Sequence, residues 1–597
     1  MFVRSVKIRS SAGTVHEYVR IVTSVRENGR VKQRVIANLG RRDTLEAVLP
    51  MLNRFLCGDS DQQQLAKELA EEGPIKIRDA STWGPMLVVR HLFEQLGLWQ
   101  ILDGGRRWSH LLPEEDPNDD WPSRVVALLT NRLVCPASEH ALAGWLETDF
   151  VCDRHGRRYA PCWKQHRRVQ VDLTQLQRWY RTLDHLLLNK DQIEVALYER
   201  LRDLFDFQPD LVLYDITSTY FEGHGPPSLA KHGHSRDEKS RNVQVVVGVV
   251  MVAGWPIAHH VWAGNKRDST TVKEVVEDLA KRFSFRRMVF VGDRGMVTQN
   301  NLEIIEKAEG EWGFLVGMTR RQNPEAETLI DRVVEEKWIE CEGGVNTREK
   351  KQQERPRTRV QEVQCDRDGV RAFVVDSDER RAYEQRMRKK AMQRVRAGLE
   401  QVQKRVANGR LKKPEKIGAA VERVLQRNHG YRYYDWELKD GELHFVEHPT
   451  NLPREKKYEG RYLIQTDQTK FTSQDAVANY KELNEVERGF RSMKDPIGMR
   501  PIWHRSERRV KAHIFVAALA FLLDRMLERA LKAADVELSS SAAWSALATI
   551  RHVDFLVGGQ RRTGVTPGSS RARQVLRALA ISDLRPPTPP KDDPTTM

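Results

Sequence analysis

Two apolar runs, each closing on an aspartate, constrain this chain more than any other feature. PDLVLYDIT (209–217) and RMVFVGD (287–293) are continuous runs of aliphatic and aromatic residues with no polar alternation. Such runs read as short strands buried on both faces of a sheet. They bring Asp215 and Asp293 to the strand ends. An isolated charge beside a core is costly, although an aspartate after a strand also caps turns. If the two strands are parallel neighbours, both acids meet at one sheet edge, where α/β proteins place ligands.

The flanking pattern predicts an α/β fold. NVQVVVGVVMV and WPIAHHVWA are two strands joined by a turn at Ala253-Gly254. STTVKEVVEDLAKRF is a helix with Ser269 or Asp268 as its cap. TQNNLEIIEKA is a second helix and WGFLVGMT a further strand, so the order is β-β-β-α-β-α-β. Residues 321–458 break this rhythm with a densely basic helix over 380–406 and an aromatic β-segment containing Tyr431, Tyr433, Tyr434 and Trp436. They are expected to form an insertion domain in a separate lobe. GRYLIQTD then reads as a strand, and AVANYKELNEVERGFRSMK as a single amphipathic helix.

On that helix Tyr480, Glu487 and Lys494 recur every seven residues. Two turns take ~7.2 residues, so the three share one stripe. Glu482 and Glu485 face the other way. Glu487 sits between Val486 and Phe490 on a partly apolar face, though a solvated salt-bridged face is the plainer alternative. Three carboxylates without a Cys/His cluster favour a hard cation, Mg²⁺ or Mn²⁺, over zinc. Cys152, His155, Cys162 and His166 have zinc-like local spacing but an unusually short gap.

The net charge of +15 favours a polyanionic partner, with a basic soluble enzyme as the alternative. Hydrophobic residues at 40% exclude wholesale disorder. Six scattered cysteines show no disulfide framework, which fits a reducing compartment. The N-terminus has no apolar signal-peptide region, and IFVAALAFLL (514–523) is too short to span a bilayer and reads as a core helix.

The boxes YDITSTYFEG, VGDRGMVTQNNL and YKELNEVERGFRSMK, with RPIWHRSERRVKAHIFVAALAFLL after them, resemble the DDE transposases of bacterial insertion sequences. These are the group marked by Y-(2)-R-(3)-E-(6)-K, matched here by Tyr480, Glu487 and Lys494, with Leu483 where the arginine would stand. The resemblance covers about residues 208–525. It implies a ribonuclease-H-like catalytic core (βββαβαβα) with a large insertion before the last catalytic helix. It implies catalytic, metal-holding roles for Asp215, Asp293 and Glu487, with two Mg²⁺ ions for which Mn²⁺ substitutes. Tyr480 and Lys494 would hold the cleaved strand, with Arg488 or Arg491 standing in for the missing arginine. Double-stranded DNA, both element ends and target, would be the substrate, with a homodimer in the active complex.

The expected organisation is a β-hairpin module over 1–50, turning at Glu27-Asn28-Gly29, and a helical, DNA-binding region over 51–205. The core follows over 206–320 and 459–535 around the insertion. A C-terminal helical region with a Pro-rich disordered tail occupies 536–597. The chain is read as a cytoplasmic, nucleoid-associated transposase that cuts and joins DNA at terminal repeats. A transposase-derived nuclease and a non-catalytic DNA-binding regulator are the alternatives.

Overall fold

A computed structural model of the chain describes residues 2–9, 15–27, 30–45, 76–105, 120–159, 164–165, 168–169, 173–207, 210–283, 285–296, 298–307, 310–320, 323–341, 356–427, 429–557 and 560–589. They form two compact units. The first comprises Met1–Gln208, Ile216–Lys266 and Val486–Met597, the second Pro209–Asp215 and Arg267–Glu485. The strand Leu211–Tyr220 and the helix Leu483–Lys494 each run from one unit into the other.

The second unit is built on a mixed sheet. Its strands lie in the order Ile339–Cys341, Thr358–Val363, Arg371–Ser377, Arg461–Thr466, Glu311–Met318, Arg287–Gly292, and then the start of Leu211–Tyr220. The last three run parallel, and the pairings on the other side are antiparallel. Parallel neighbours need crossover connections, usually helical; Val272–Phe283 and Gln299–Glu306 flank Arg287–Gly292 in the chain. Burial of Met288, Val289, Phe290 and Val291 explains why that strand shows no polar alternation.

The insertion is narrower than its sequence implies. Its first strands, through Ser377, extend this sheet, and their residues Val363, Ala372 and Val374 pack with Leu329, Ile330 and Tyr458. The separate core begins with the basic helix Asp378–Ala407, where Val395, Leu399 and Val402 pack on Ile417, Val421 and Leu425 of the helix Pro414–Arg427. Tyr433 and Tyr434 belong to that core and are buried in it.

In the first unit the apolar stretch 514–523 is the buried middle of the helix Glu507–Ala533, which packs on Trp121–Val134 and Leu173–Leu188. Among the described residues no helix is long and apolar enough to cross a membrane. The N-terminal module is a three-stranded antiparallel sheet, Phe2–Arg9, Val15–Glu27 and Arg30–Arg41; the predicted turn residues Asn28 and Gly29 lie outside the described residues.

The C-terminal region also differs from a purely helical expectation. Arg551–Val557 and Gln560–Val565 form a hairpin, and Lys76–Thr82 pairs with the other edge of Arg551–Val557. The run VDFLV followed by Gly558-Gly559 carries the hairpin signal. Of the Pro-rich tail, residues 585–589 are described and 590–597 are not. Just before it, the Leu584 carbonyl accepts a hydrogen bond from Trp83 Nε1 at 2.7 Å.

Candidate active site

The two aspartates of the second unit are neighbours. Leu211–Tyr220 and Arg287–Gly292 pair in parallel with Tyr214 opposite Gly292 as the last pair, so Asp215 and Asp293 are the residues that follow. Asp293 lies just past its strand, whereas Asp215, expected at a strand end, sits midway along a strand that continues to Tyr220. Asp215 is half-buried and Asp293 exposed. Beneath them Tyr214, fully buried, donates its hydroxyl to Thr271 Oγ1 at 2.8 Å, and Thr271 donates in turn to the Asp268 carbonyl at 2.7 Å. This chain ties the middle of the first-aspartate strand to the turn Asp268–Thr270. Burial, and secondarily Asp215 and Asp268, push the Tyr214 phenol pKa up, so it stays protonated as a donor.

Tyr480 joins the same cluster. Its hydroxyl donates to Asp293 Oδ1 at 3.4 Å. Burial first, then the Asp293 charge, raise its pKa, which keeps the proton on the phenol. The hydroxyl reaches this place because residue 317 is glycine: a Cβ there would stand 2.2 Å from the Tyr480 oxygen. Gly295 performs a similar service for Asp268, whose carboxylate oxygen lies 3.3 Å from where its Cβ would be. Neither Gly317 nor Asp268 stood out as a site residue in the sequence. Gly317 looks like any glycine in an apolar strand, and Asp268 like a helix cap.

The helix carrying Tyr480 is not continuous with the one carrying Glu487. Ser473–Lys481, opened by a Thr472/Asp475 capping box, ends at Glu482, and Leu483–Lys494 begins anew. The seven-residue stripe therefore crosses a helix break, and Tyr480 and Glu487 fall in different units. In the first unit Val486, Phe490 and Met493 are buried while Glu487, Arg488 and Arg491 are exposed. Gly489 lets this helix approach Phe521, whose ring atom Cζ would be 2.9 Å from an added Cβ. Leu483, at the place of the family's arginine, is buried.

Lys494 was expected to grip a DNA strand. It is 8% exposed, and its ammonium donates to Asp237 Oδ1 at 2.7 Å. Arg500 reaches the same carboxylate at 2.8 Å. Burial pushes the Lys494 pKa down against the pull of Asp237. The polar loop 232–237 thus supplies a buried counterion to the end of the Glu487 helix.

Oxygen donors alone, Asp215 and Asp293, stand where the pairing of their two strands ends, which suits a hard cation. Among the described residues one further group has metal-like spacing, Glu139, His504 and His513. There Arg132 already supplies the positive charge, 3.6 Å from Glu139 and donating to His513 Nδ1 at 3.0 Å. His513 Nε2 is engaged with the Met499 carbonyl at 3.1 Å. Cys152 is fully buried with its thiol pushed up to about 12, a poor thiolate ligand, and Cys162 and His166 lie outside the described residues.

Comparison with known proteins gives two family matches. Residues 3–74 match the family described as IS1634 family transposase, N-terminal domain, and residues 207–523 the one described as Transposase DDE domain. No curated protein matches. Four chains of solved structures do. One, a cryo-EM structure of the piggyBac transposase synaptic complex with hairpin DNA, has a TM-score of 0.36 and 8% identity over 85% of this chain and 86% of that one. The Transposase DDE domain match spans more than half of the 597 residues and contains both aspartate strands and the Glu487 helix; the chain belongs to the DDE transposases of insertion sequences.

Proposed function

We propose that the protein cleaves DNA at the terminal repeats of an insertion sequence and joins the freed ends to target DNA. Asp215, Asp293 and Glu487 would hold two Mg²⁺ ions within a ribonuclease-H-like core. The observation that carries the reading is the register of the two aspartate strands, which sets Asp215 and Asp293 as the residues just past their last pair. The order β-β-β-α-β-α-β from Leu211 to Met318 supports the core assignment. Exposure of Asp293 and Glu487 leaves both carboxylates accessible to ligands.

When bound, paired divalent ions supply an activated water or 3′-hydroxyl and stabilise the leaving oxygen of the phosphodiester. The chain's own residues orient the donors. Tyr480 holds Asp293 by a hydrogen bond from a phenol that keeps its proton. Lys494 acts as a positioning residue, anchoring the end of the Glu487 helix on Asp237 rather than touching DNA. Arg488 and Arg491, exposed on that helix, contact the phosphates beside Glu487. Two ends must be processed together, which calls for a homodimer in the active complex.

The test is replacement of each acid by its amide: Asp215→Asn, Asp293→Asn and Glu487→Gln. Each removes one negative ligand while keeping the shape. Cleavage of end DNA should fall roughly a hundredfold or more, with DNA binding retained because it rests on Lys and Arg contacts. Mn²⁺ should restore part of the activity. Glu482→Gln and Glu485→Gln should leave cleavage nearly unchanged; loss of cleavage in Glu485→Gln with full activity in Glu487→Gln would refute the third ligand. Paired-end strand-transfer assays separate a transposase from a nuclease that only cuts.

A further inference from the structure

The helix Asp378–Ala407 is 30 residues long, and its cations, Lys389 and Arg405 apart, fall into two sets. Arg380 pairs with Glu384, Arg381 with Asp376, Arg388 with Glu459 and Arg396 with Glu400. Val395, Leu399 and Val402 turn into the core. The opposite face carries Arg386, Lys390, Arg394 and Lys404, all exposed, with no acidic partner among the described residues. At 100° per residue, these four fall within one stripe about 80° wide, facing away from the Val395–Leu399 side. Between Tyr383 and Lys404 no carboxylate lies on this face. Tyr383 (56% exposed) and Met387 (51% exposed) flank its N-terminal end.

Four like charges kept on one exposed face, while Arg380, Arg381, Arg388 and Arg396 are each paired with a carboxylate, are more than solubility requires. We infer that this face is a docking surface for the phosphate backbone of duplex DNA, separate from the carboxylate site. The inference rests on the reading of the protein as a DNA enzyme. From Arg386 to Lys404 the array is straight over about 27 Å of helix. A straight, convex cationic edge suits a stiff duplex, whereas a flexible single strand is usually held in a groove with stacking platforms. The contact would be sequence-independent, because phosphates position DNA without specifying it.

The experiment is a salt titration of full-length protein on a short duplex of random sequence, read by fluorescence anisotropy. The face variant is R386Q/K390Q/R394Q/K404Q. The comparison variant, K412Q/K413Q/K416Q, removes exposed charge elsewhere in the same unit. Each phosphate contact contributes about 0.9 to the slope of log K against log salt. The face variant should therefore flatten the slope by about 3–4, and the comparison variant should leave it unchanged. Equal flattening in both, no flattening in the face variant, or flattening only with a single-stranded oligonucleotide would each overturn the inference. Should the quadruple variant not fold, R386Q and R394Q alone should each flatten the slope by about 1. Failure of the underlying reading would look different: the wild-type protein itself would show no salt-dependent DNA binding.

Discussion

The Tyr480 hydroxyl rests over Gly317 and on Asp293, so three residues far apart in sequence determine how one carboxylate is oriented. A hydrogen bond to a charged group is worth about 1.5–3 kcal/mol. Tyr480→Phe, which removes the donor and keeps the ring, should lower kcat for end cleavage by roughly tenfold or more. Gly317→Ala places a methyl 2.2 Å from the hydroxyl and must displace it, so it should cost at least as much. Because both act on one contact, the double variant should lose less than the two losses added together. Additive losses in single-turnover kinetics would mean that Gly317 acts on something other than the tyrosine.

At the scale of elements, the helix Glu507–Ala533 carries a buried carboxylate that does not belong to the chemistry. Asp524 accepts hydrogen bonds from Trp544 Nε1 at 2.9 Å and Ser540 Oγ at 3.2 Å. Burial raises its pKa from 3.8 to about 6, against those two bonds, which lower it. A folded-state pKa above the unfolded value means a stabilising contribution that is complete below about pH 4 and lost as pH rises through about 6. Asp524→Asn keeps an acceptor for Trp544 and removes the charge. It should raise the melting temperature at pH 8, by up to about 2–3 kcal/mol of stability, with little effect at pH 4. A variant equally destabilised at both pH values would show that the hydrogen bonds, not the charge, dominate. The neighbouring Arg132, His513 and Glu139 have an anchoring role in the same unit: Arg132 holds the Gly498 carbonyl and His513 the Met499 carbonyl, fixing the chain that leaves the Glu487 helix.

For the molecule as a whole, the proposed metal site lies on exposed or half-buried carboxylates, while the cores are apolar and closed without it. Chelation with EDTA should therefore abolish cleavage and shift the thermal midpoint by no more than a few degrees, the size of a mass-action ligand effect. Collapse of the fold on chelation would mean a structural metal instead. The sequence by itself determined the strand-and-helix order and the placement of Asp293 at a strand end, because continuous apolar runs and turn residues are local signals; it ended the first strand at Asp215, whereas that strand continues to Tyr220. It also determined the buried core helix over 514–523, from length and apolarity alone. Tertiary structure decided the rest. Only packing shows the helix break at Glu482, since both halves keep helical periodicity in the sequence. Only pairing across 85 to 95 residues shows that Arg371–Ser377 joins Arg461–Thr466 in the sheet while Asp378–Ala407 starts a core of its own. Lys494 is locally a plain helix-end lysine; its burial against Asp237 depends on a loop 257 residues earlier, and no local pattern encodes such a partner.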